Sequence, residues 1–423
     1  MNIYADHFDH LRIALSDVGR HRPRTADFEP EFALPEPSAR LARYFEVANL
    51  RFAELGVMAG TRVTLLDLMG NPATRTVKTL ASLVIVARAI RHIHTTGEPV
   101  MILTPSSANK ATALRDAVLR AHQAELATPE QLRIITVVPG TSTPKLWSSA
   151  LDEEHNPVCV LDNGNVKTVA RQVATSTAQD LFRATGFRLW HTLDLANYQC
   201  ADAIRAFAEP PANGTRAHAH AVSSAFGLLG HHFGTQLGNG TGSQYFLVQH
   251  MATPDMVLSL YDMTPPEYHA DPETGLYHQD TDPRYPRTTF DPAEDLEPTF
   301  YTRDPATSPR MNRIIRQNGG GGVVVSRYEC LRRYAEVRTL LANAGICLPD
   351  DPYDLREWSL VMAMTGVLNG IDRGLLDVDE VVVHGSGSYS VTDFVPIPEH
   401  TLHRIDGADS LREILLAPAE VRA

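Results

Sequence analysis

The sequence predicts an α/β protein built as two three-layer α/β/α domains. Three observations support this. Strand-like and helix-like segments alternate from Arg62 to about Val166, similar text returns after Gly322, and 423 residues suffice for two cores. The expected division gives residues 1–75 to an N-terminal arm and the first part of a large domain. Residues 76–190 form a small α/β domain, and 191–423 the rest of the large one, with an irregular insertion at about 253–309.

Taken in order, Arg22 to Pro37 is rich in Pro and Glu and reads as an extended arm, and Ser38 to Leu55 has apolar residues at helical spacing. Arg62–Leu68 is a strand candidate, and Val77–Ile93 a helix whose Leu80, Leu83, Val84 and Val86 face a core. A strand at Pro99–Leu103, a helix at Asn109–Ala124, a strand at Leu132–Val138, a helix around Leu146, a strand at Val158–Leu161 and a helix from Val166 follow. Such alternation points to a parallel sheet with helices on its faces. Between about Thr253 and Pro309 periodicity is lost among Asp, Glu, Pro, Tyr and Thr, which reads as a lid, an interface arm or a surface loop. Gly322 opens a strand and a long helix; a helix at Leu355–Arg373 and a strand at Glu380–His384 complete the pattern.

A net charge of −12 argues against a nucleic-acid partner, whose phosphates need clustered Lys and Arg. Cys159, Cys200, Cys330 and Cys347 form no CxxC pair, so neither a zinc site nor a disulfide framework is indicated and a cytoplasmic setting is expected. Met1 to Arg24 lacks an apolar stretch and does not read as a signal peptide, and no apolar run is long enough to span a bilayer.

Four turns carry chemistry. Pro72 to Lys78 ends with a lysine at a helix start, where the helix dipole and partial desolvation favour the neutral, nucleophilic amine. Ser106-Ser107-Ala108-Asn109 follows a strand and opens a helix, a place for an anion, or simply an N-cap. Gly238-Asn239-Gly240-Thr241-Gly242-Ser243 has glycines spaced as in a phosphate nest. His384-Gly385-Ser386-Gly387-Ser388 ends a buried strand. Lys110 is a rival nucleophile, while Lys145 and Lys167 read as surface charges. The pairs His218/His220 and His231/His232 lack an obvious carboxylate partner and read as helix-surface or capping residues, so no metal is expected.

The order of these turns resembles the fold-type II enzymes that depend on pyridoxal 5′-phosphate (PLP), the threonine synthase and tryptophan synthase β branch in particular. The resemblance covers roughly Arg62 to Asp393 outside the insertion. It rests on Thr74, Thr76 and Lys78, on Ser106 to Asn109, on Val137-Val138-Pro139-Gly140, and on the passages from Gly322 and Thr365. It implies a Schiff-base role for Lys78, a substrate-carboxylate grip at Thr74, Ser106, Ser107 and Ala108, and Asn109 near the cofactor's 3′-oxygen. It further implies a phosphate loop at Gly238–Ser243, and His384, Ser386 or Ser388 facing the pyridine nitrogen. Departures are Thr79 after the lysine, Arg75 and Ala108 at glycine positions, and His384 at a threonine position. Arg75 could meet a further negative charge on the substrate. The implied function is β- or γ-elimination or replacement on a small amino acid, in specialised biosynthesis, by a homodimer. Two alternatives stand beside it: a catalytically inactive relative serving as a binding or scaffold partner, and a PLP-free enzyme of a phosphorylated metabolite.

Overall fold

The computed structural model describes residues 1–23, 27–151, 154–240, 242–300 and 302–417. The chain opens with two helices, α1 (Ile3–Asp6) and α2 (Phe8–His21), then an extended arm, then α3 (Ala39–Tyr44). Two antiparallel strands follow, β1 (Arg51–Met58) and β2 (Thr61–Asp67). The helical spacing expected to run to Leu55 therefore stops early. Ala59 and Gly60, both at positive φ, turn the chain between Met58 and Thr61 as a two-residue hairpin.

Helix α4 (Lys78–Thr96), β3 (Val100–Pro105), α5 (Asn109–Gln123), β4 (Leu132–Pro139), β5 (Val158–Leu161), α6 (Val166–Thr185) and β6 (Arg188–His191) come next. The helix expected around Leu146 is a short 3-10 turn at Gly140–Lys145, shortened by Pro144. The chain then returns to the first sheet through α7 (Leu195–Phe207), β7 (Arg216–Ala221), α8 (Phe226–Leu237) and β8 (Gln244–His250).

The irregular stretch holds α9 (Asp255–Tyr261) and a three-stranded ribbon of β9 (His269–Ala270), β10 (Tyr277–His278) and β11 (Thr288–Thr289). Beyond it lie α10 (Ser308–Asn318), β12 (Gly320–Val325), α11 (Arg327–Asn343), β13 (Leu355–Glu357), α12 (Ser359–Asp372), β14 (Glu380–Gly385), β15 (Tyr389–Ser390), β16 (Leu402–Ile405) and α13 (Ala408–Leu416). The helix expected from Leu355 thus starts four residues later, because Leu355 and Glu357 pair with Ser390 and Tyr389.

Two main sheets result. The larger runs β1-β2-β14-β7-β8-β12 and is parallel except for β1; the smaller runs β16-β5-β4-β3-β6 and is parallel throughout. Helices flank both, so the expected α/β layers are present. One boundary is corrected: β16 pairs with β5, so the segment near residue 402 belongs to the smaller sheet and not to the larger one. Val381, Val382 and Val383 are buried between β2 and β7, as a central parallel strand covered on both faces requires.

The N-terminal arm is held by Arg88 of α4, which is fully buried. Its guanidinium bonds Glu29 at 3.2 Å, the Glu31 carbonyl at 3.1 Å, Pro30 O and Asn197 Oδ1, and lies 3.5 Å from the centre of the Phe32 ring. Burial lowers its pKa to about 10 against the pull of Glu29. Removing one partner of a buried ion pair strands the other, so Arg88→Ala should cost about 3–5 kcal/mol. Denaturant unfolding followed by circular dichroism measures this loss.

Candidate functional site

In parallel α/β sheets, ligands gather beyond the carboxyl ends of the strands. The end of β2 leads to the Lys78 turn, the end of β14 to Ser386, the end of β7 to Ser223–Gly227, and the end of β3 to Ser106–Asn109. All four line one cavity of about 400 Å³, within the size range of small-ligand sites.

The Lys78 turn is stitched to the 386–388 turn by backbone bonds. Val77 N donates to Ser386 O at 2.8 Å, and Ser388 N to Arg75 O at 3.3 Å. Lys78 is the first residue of α4, and its Nζ lies 5.7 Å from the Tyr198 ring centre. Burial lowers the Lys78 pKa, with Arg205 adding to the fall and Asp202 and Glu357 opposing it. The shift runs towards the neutral amine that a nucleophile needs.

Helix α8 begins at the cavity. Leu229 N is bonded back to Ala225 O, and the preceding amides of the first turn have no partner within the helix. Ser223, Ser224, Ala225, Phe226 and Gly227 all line the cavity, so these amides and the helix dipole present an anion-binding end. Ala225 holds the turn at φ +51°. A side chain at Gly227 would come within 3.2 Å of both Arg205 Nη1 and His220 Cε1.

This corrects the expected phosphate loop. Gly238–Ser243 lies at the other end of α8, where Gly238 N and Gly240 N bond the helix carbonyls of Gly234 and Thr235. The stretch precedes β8 and so sits at the amino edge of the sheet, away from the cavity; Thr241 is outside the described residues. Gly238, Asn239, Gly240, Gly242 and Ser243 are not among the cavity's walls. The available signal for the helix end that does line the cavity was a run of small residues directly after a strand.

The three candidates for a ring-nitrogen partner separate. Ser386 lines the cavity, and its buried Oγ has no hydrogen-bond partner. His384 is wholly buried behind it, with Nδ1 3.3 Å from Arg205 Nη1 and Nε2 3.0 Å from His218 Nδ1, so it does not face the cavity. Ser388 faces a different cavity, shared with Arg75. Thr76 Oγ1 and both ring nitrogens of His220 are also buried without partners on the walls of the first cavity.

The expected carboxylate grip is only partly assembled. Ser106, Ser107 and Asn109 line the cavity. Ser106 Oγ, however, accepts from Ala111 N at 2.8 Å and acts as a helix cap. Asn109 donates to Glu357 Oε2 at 2.5 Å and accepts from Tyr389 OH at 2.7 Å. Thr74 is buried below the turn, 2.6 Å from Thr79 Oγ1, so both threonines brace the turn. Arg75 points away and pairs with Asp393 at 2.9 Å, which removes it as a contact for substrate charge. Ala108 is buried at φ +87° and Arg75 sits at φ +47°; both stand where a glycine would be relaxed.

The other lysines also depart from expectation. Lys145 is buried, not a surface charge, 2.6 Å from Glu297 and 3.2 Å from Glu357. Burial works against its charge, but the two carboxylates hold its pKa above the ordinary value. Glu297 belongs to the irregular stretch, whose Thr299, Phe300, Thr302 and Thr307 form part of the cavity wall. The stretch is thus a wall of the site and no free loop. Lys110 lines the cavity and donates to Thr192 O; burial, Lys167 and Lys78 lower its pKa to about 7. Lys167 lines the cavity too. His218, His220, His231 and His232 are all buried and do not lie on helix surfaces.

The chain is a doubly wound α/β protein with a lysine on the wall of a cavity at the strand ends, the fold of the fold-type II enzymes. The PLP-bound threonine synthase of Brucella melitensis superposes with a TM-score of 0.53 over 96% of this chain and 88% of its own, at 12% identity. Yeast threonine synthase gives 0.53 over 88% and 82% at 9% identity, and maize serine racemase 0.50 over 91% and 95% at 11%. The chain belongs to a family of unknown function, DUF6002, whose model matches residues 1–419. No curated protein matches the sequence. Among the described residues, no helix is long and apolar enough to cross a membrane.

Two outcomes follow. Ala108→Gly should relieve the positive-φ strain and raise stability by about 1 kcal/mol, read as a higher thermal midpoint. Burial holds the Lys110 pKa at about 7 in the folded chain, against an ordinary value of 10.5. Between these values the unfolded chain carries the proton that the folded chain has released, so stability rises with pH there and falls towards pH 7. Lys110→Met should flatten that slope, measured by urea midpoints across the interval.

Proposed function

We propose that this cavity binds PLP through an imine to Lys78 and that the protein acts on a small amino acid. The observation that carries the proposal is the meeting, in one cavity, of a desolvated lysine amine, an anion-binding helix end and the unpaired Ser386 Oγ. These fit the cofactor's aldehyde, phosphate and ring nitrogen in turn. The names of the superposed enzymes support the reading, since threonine synthases and a serine racemase work on amino acids. When bound, PLP supplies an electron sink for charge that develops at a substrate carbon.

The chain's own groups supply the rest. With the cofactor bound, the Lys78 amine would stand beside the substrate α-carbon and would accept and hold the proton taken from it. The amides of Ser223–Gly227 fix the phosphate. Ser386 Oγ would offer the ring nitrogen a neutral hydroxyl and no charged partner, which would suit elimination or replacement better than transamination. Ser107 and the first amides of α5 remain to orient a carboxylate, since Ser106 and Asn109 are engaged within the protein. The irregular stretch at 253–309 closes one wall against water, tied down by Glu297 and Lys145.

A second reading, a PLP-binding relative without catalysis, is favoured by those same engaged side chains. Solvent exchange of amino-acid α-protons, followed by NMR in deuterium oxide, separates the two. Exchange with at least one small amino acid supports the enzyme, and retained PLP with no exchange across a broad panel supports the binding protein.

Incubation with PLP should give a visible imine absorption that is lost in Lys78→Ala and kept in Lys110→Met. Borohydride reduction and peptide mapping should place the adduct on Lys78. An adduct on Lys110, or protein that stays colourless in excess PLP, overturns the proposal.

A further inference from the structure

Behind the cavity floor, four side chains converge from four different places in the chain. His218 comes from β7, His231 from α8, His384 from β14, and Glu209 from the turn after α7. Each offers one donor atom, and these atoms all lie within 4.8 Å of one another. His231 Nε2 is 2.7 Å from Glu209 Oε1, His218 Nδ1 is 3.4 Å from the same oxygen, and His384 Nε2 is 3.0 Å from His218 Nδ1. The three imidazoles are almost completely buried. We propose that this cluster is a zinc site, closed by four protein ligands.

The donor set and spacing favour a metal over shared protons. His218 Nδ1 faces both a carboxylate oxygen and another imidazole nitrogen. A single proton there satisfies one of those lone pairs, whereas a cation at the centre satisfies all of them. Tetrahedral ligands about 2.0–2.2 Å from zinc lie about 3.3 Å apart, close to the three spacings given, and the wider separations, up to 4.8 Å, close on loading. Three imidazoles and a carboxylate suit zinc among the common divalent ions. A full set of four ligands makes the site structural, with no open position for substrate.

One outer contact is already in place and one must change. Tyr245 OH lies 2.8 Å from His231 Nδ1 and can accept the proton that ligation through Nε2 leaves there. Ligation through His384 Nε2 likewise puts a proton on Nδ1, which now faces Arg205 Nη1 at 3.3 Å. That contact then opens, and the guanidinium keeps Asp202 while turning towards the cavity it already lines. Zinc loading thereby joins β7, α8 and β14, the three elements that carry His220, the Ser223–Gly227 end and Ser386. The inference does not depend on PLP, because its readout is bound metal.

The test uses the full chain, freed of any oligohistidine tag and purified without chelator. Elemental analysis should find about one zinc per chain, and replacement by cobalt(II) should give the strong visible bands of a tetrahedral site. Glu209→Gln and His231→Gln should lose the metal, while His232→Gln, one residue away, keeps it. Tyr245→Phe, which retains all four ligands, should bind zinc about 10–100-fold more weakly in a competition titration. Wild-type protein that carries no zinc and takes up neither zinc nor cobalt overturns the proposal, whether or not the variants fold. Full metal content in both ligand variants overturns it too, by placing the metal elsewhere.

Discussion

The insertion of β14 between β2 and β7 is the constraint on which the site depends. All three strands run parallel, so their carboxyl ends open on the same edge of the sheet. That single arrangement brings Lys78, Ser386 and Ser223–Gly227 together from segments far apart in sequence. The backbone bonds from Val77 to Ser386 and from Ser388 to Arg75 then lock the two turns in register. A shift of β14 by one residue would point His384 and Val382 to the opposite face and break both the cavity floor and the histidine cluster.

The cavity is also surrounded by costly buried charge. Lys145, Glu297 and Glu357 form a buried triad between a turn at the end of β4, the irregular stretch and the start of α12. Asp202 and Arg205 form another pair beside Lys78. Burying ions is expensive unless each is matched, and such groups add definition more than stability. Here they fix walls that apolar packing alone would leave free to slide. The field they create reaches Lys78, where Asp202 and Arg205 act in opposite directions.

Much of this was legible in the sequence, for a physical reason. Lys78 and the Ser106–Asn109 turn follow strands with clear apolar runs and open helices with clear periodicity, so their place at a strand end can be read locally. The helix end that lines the cavity could not be weighed the same way. Ser223-Ser224-Ala225-Phe226-Gly227 contains one glycine, while the glycine-dense 238–243 stretch is more conspicuous yet merely ends α8. Distinguishing them requires knowing which end of a strand each one touches. The histidine cluster was illegible because its members are paired by β7 lying next to β14, a non-local fact. Lys145 looks like a surface charge until the irregular stretch supplies Glu297. Ala108 and Arg75 were recognisable as departures, but their positive φ angles belong to the three-dimensional turn.

The pairing of β16 with β5 has a consequence for how the molecule is made. β16 is the edge strand of the smaller sheet, and it is synthesised long after its neighbour. Until it arrives, β5 presents a row of unsatisfied amides and carbonyls to other chains. The smaller sheet is therefore complete only when a strand some 240 residues further along the chain has joined it. The late strand thus acts as a clasp that covers one side of β5 and ties the two ends of the sequence into one sheet.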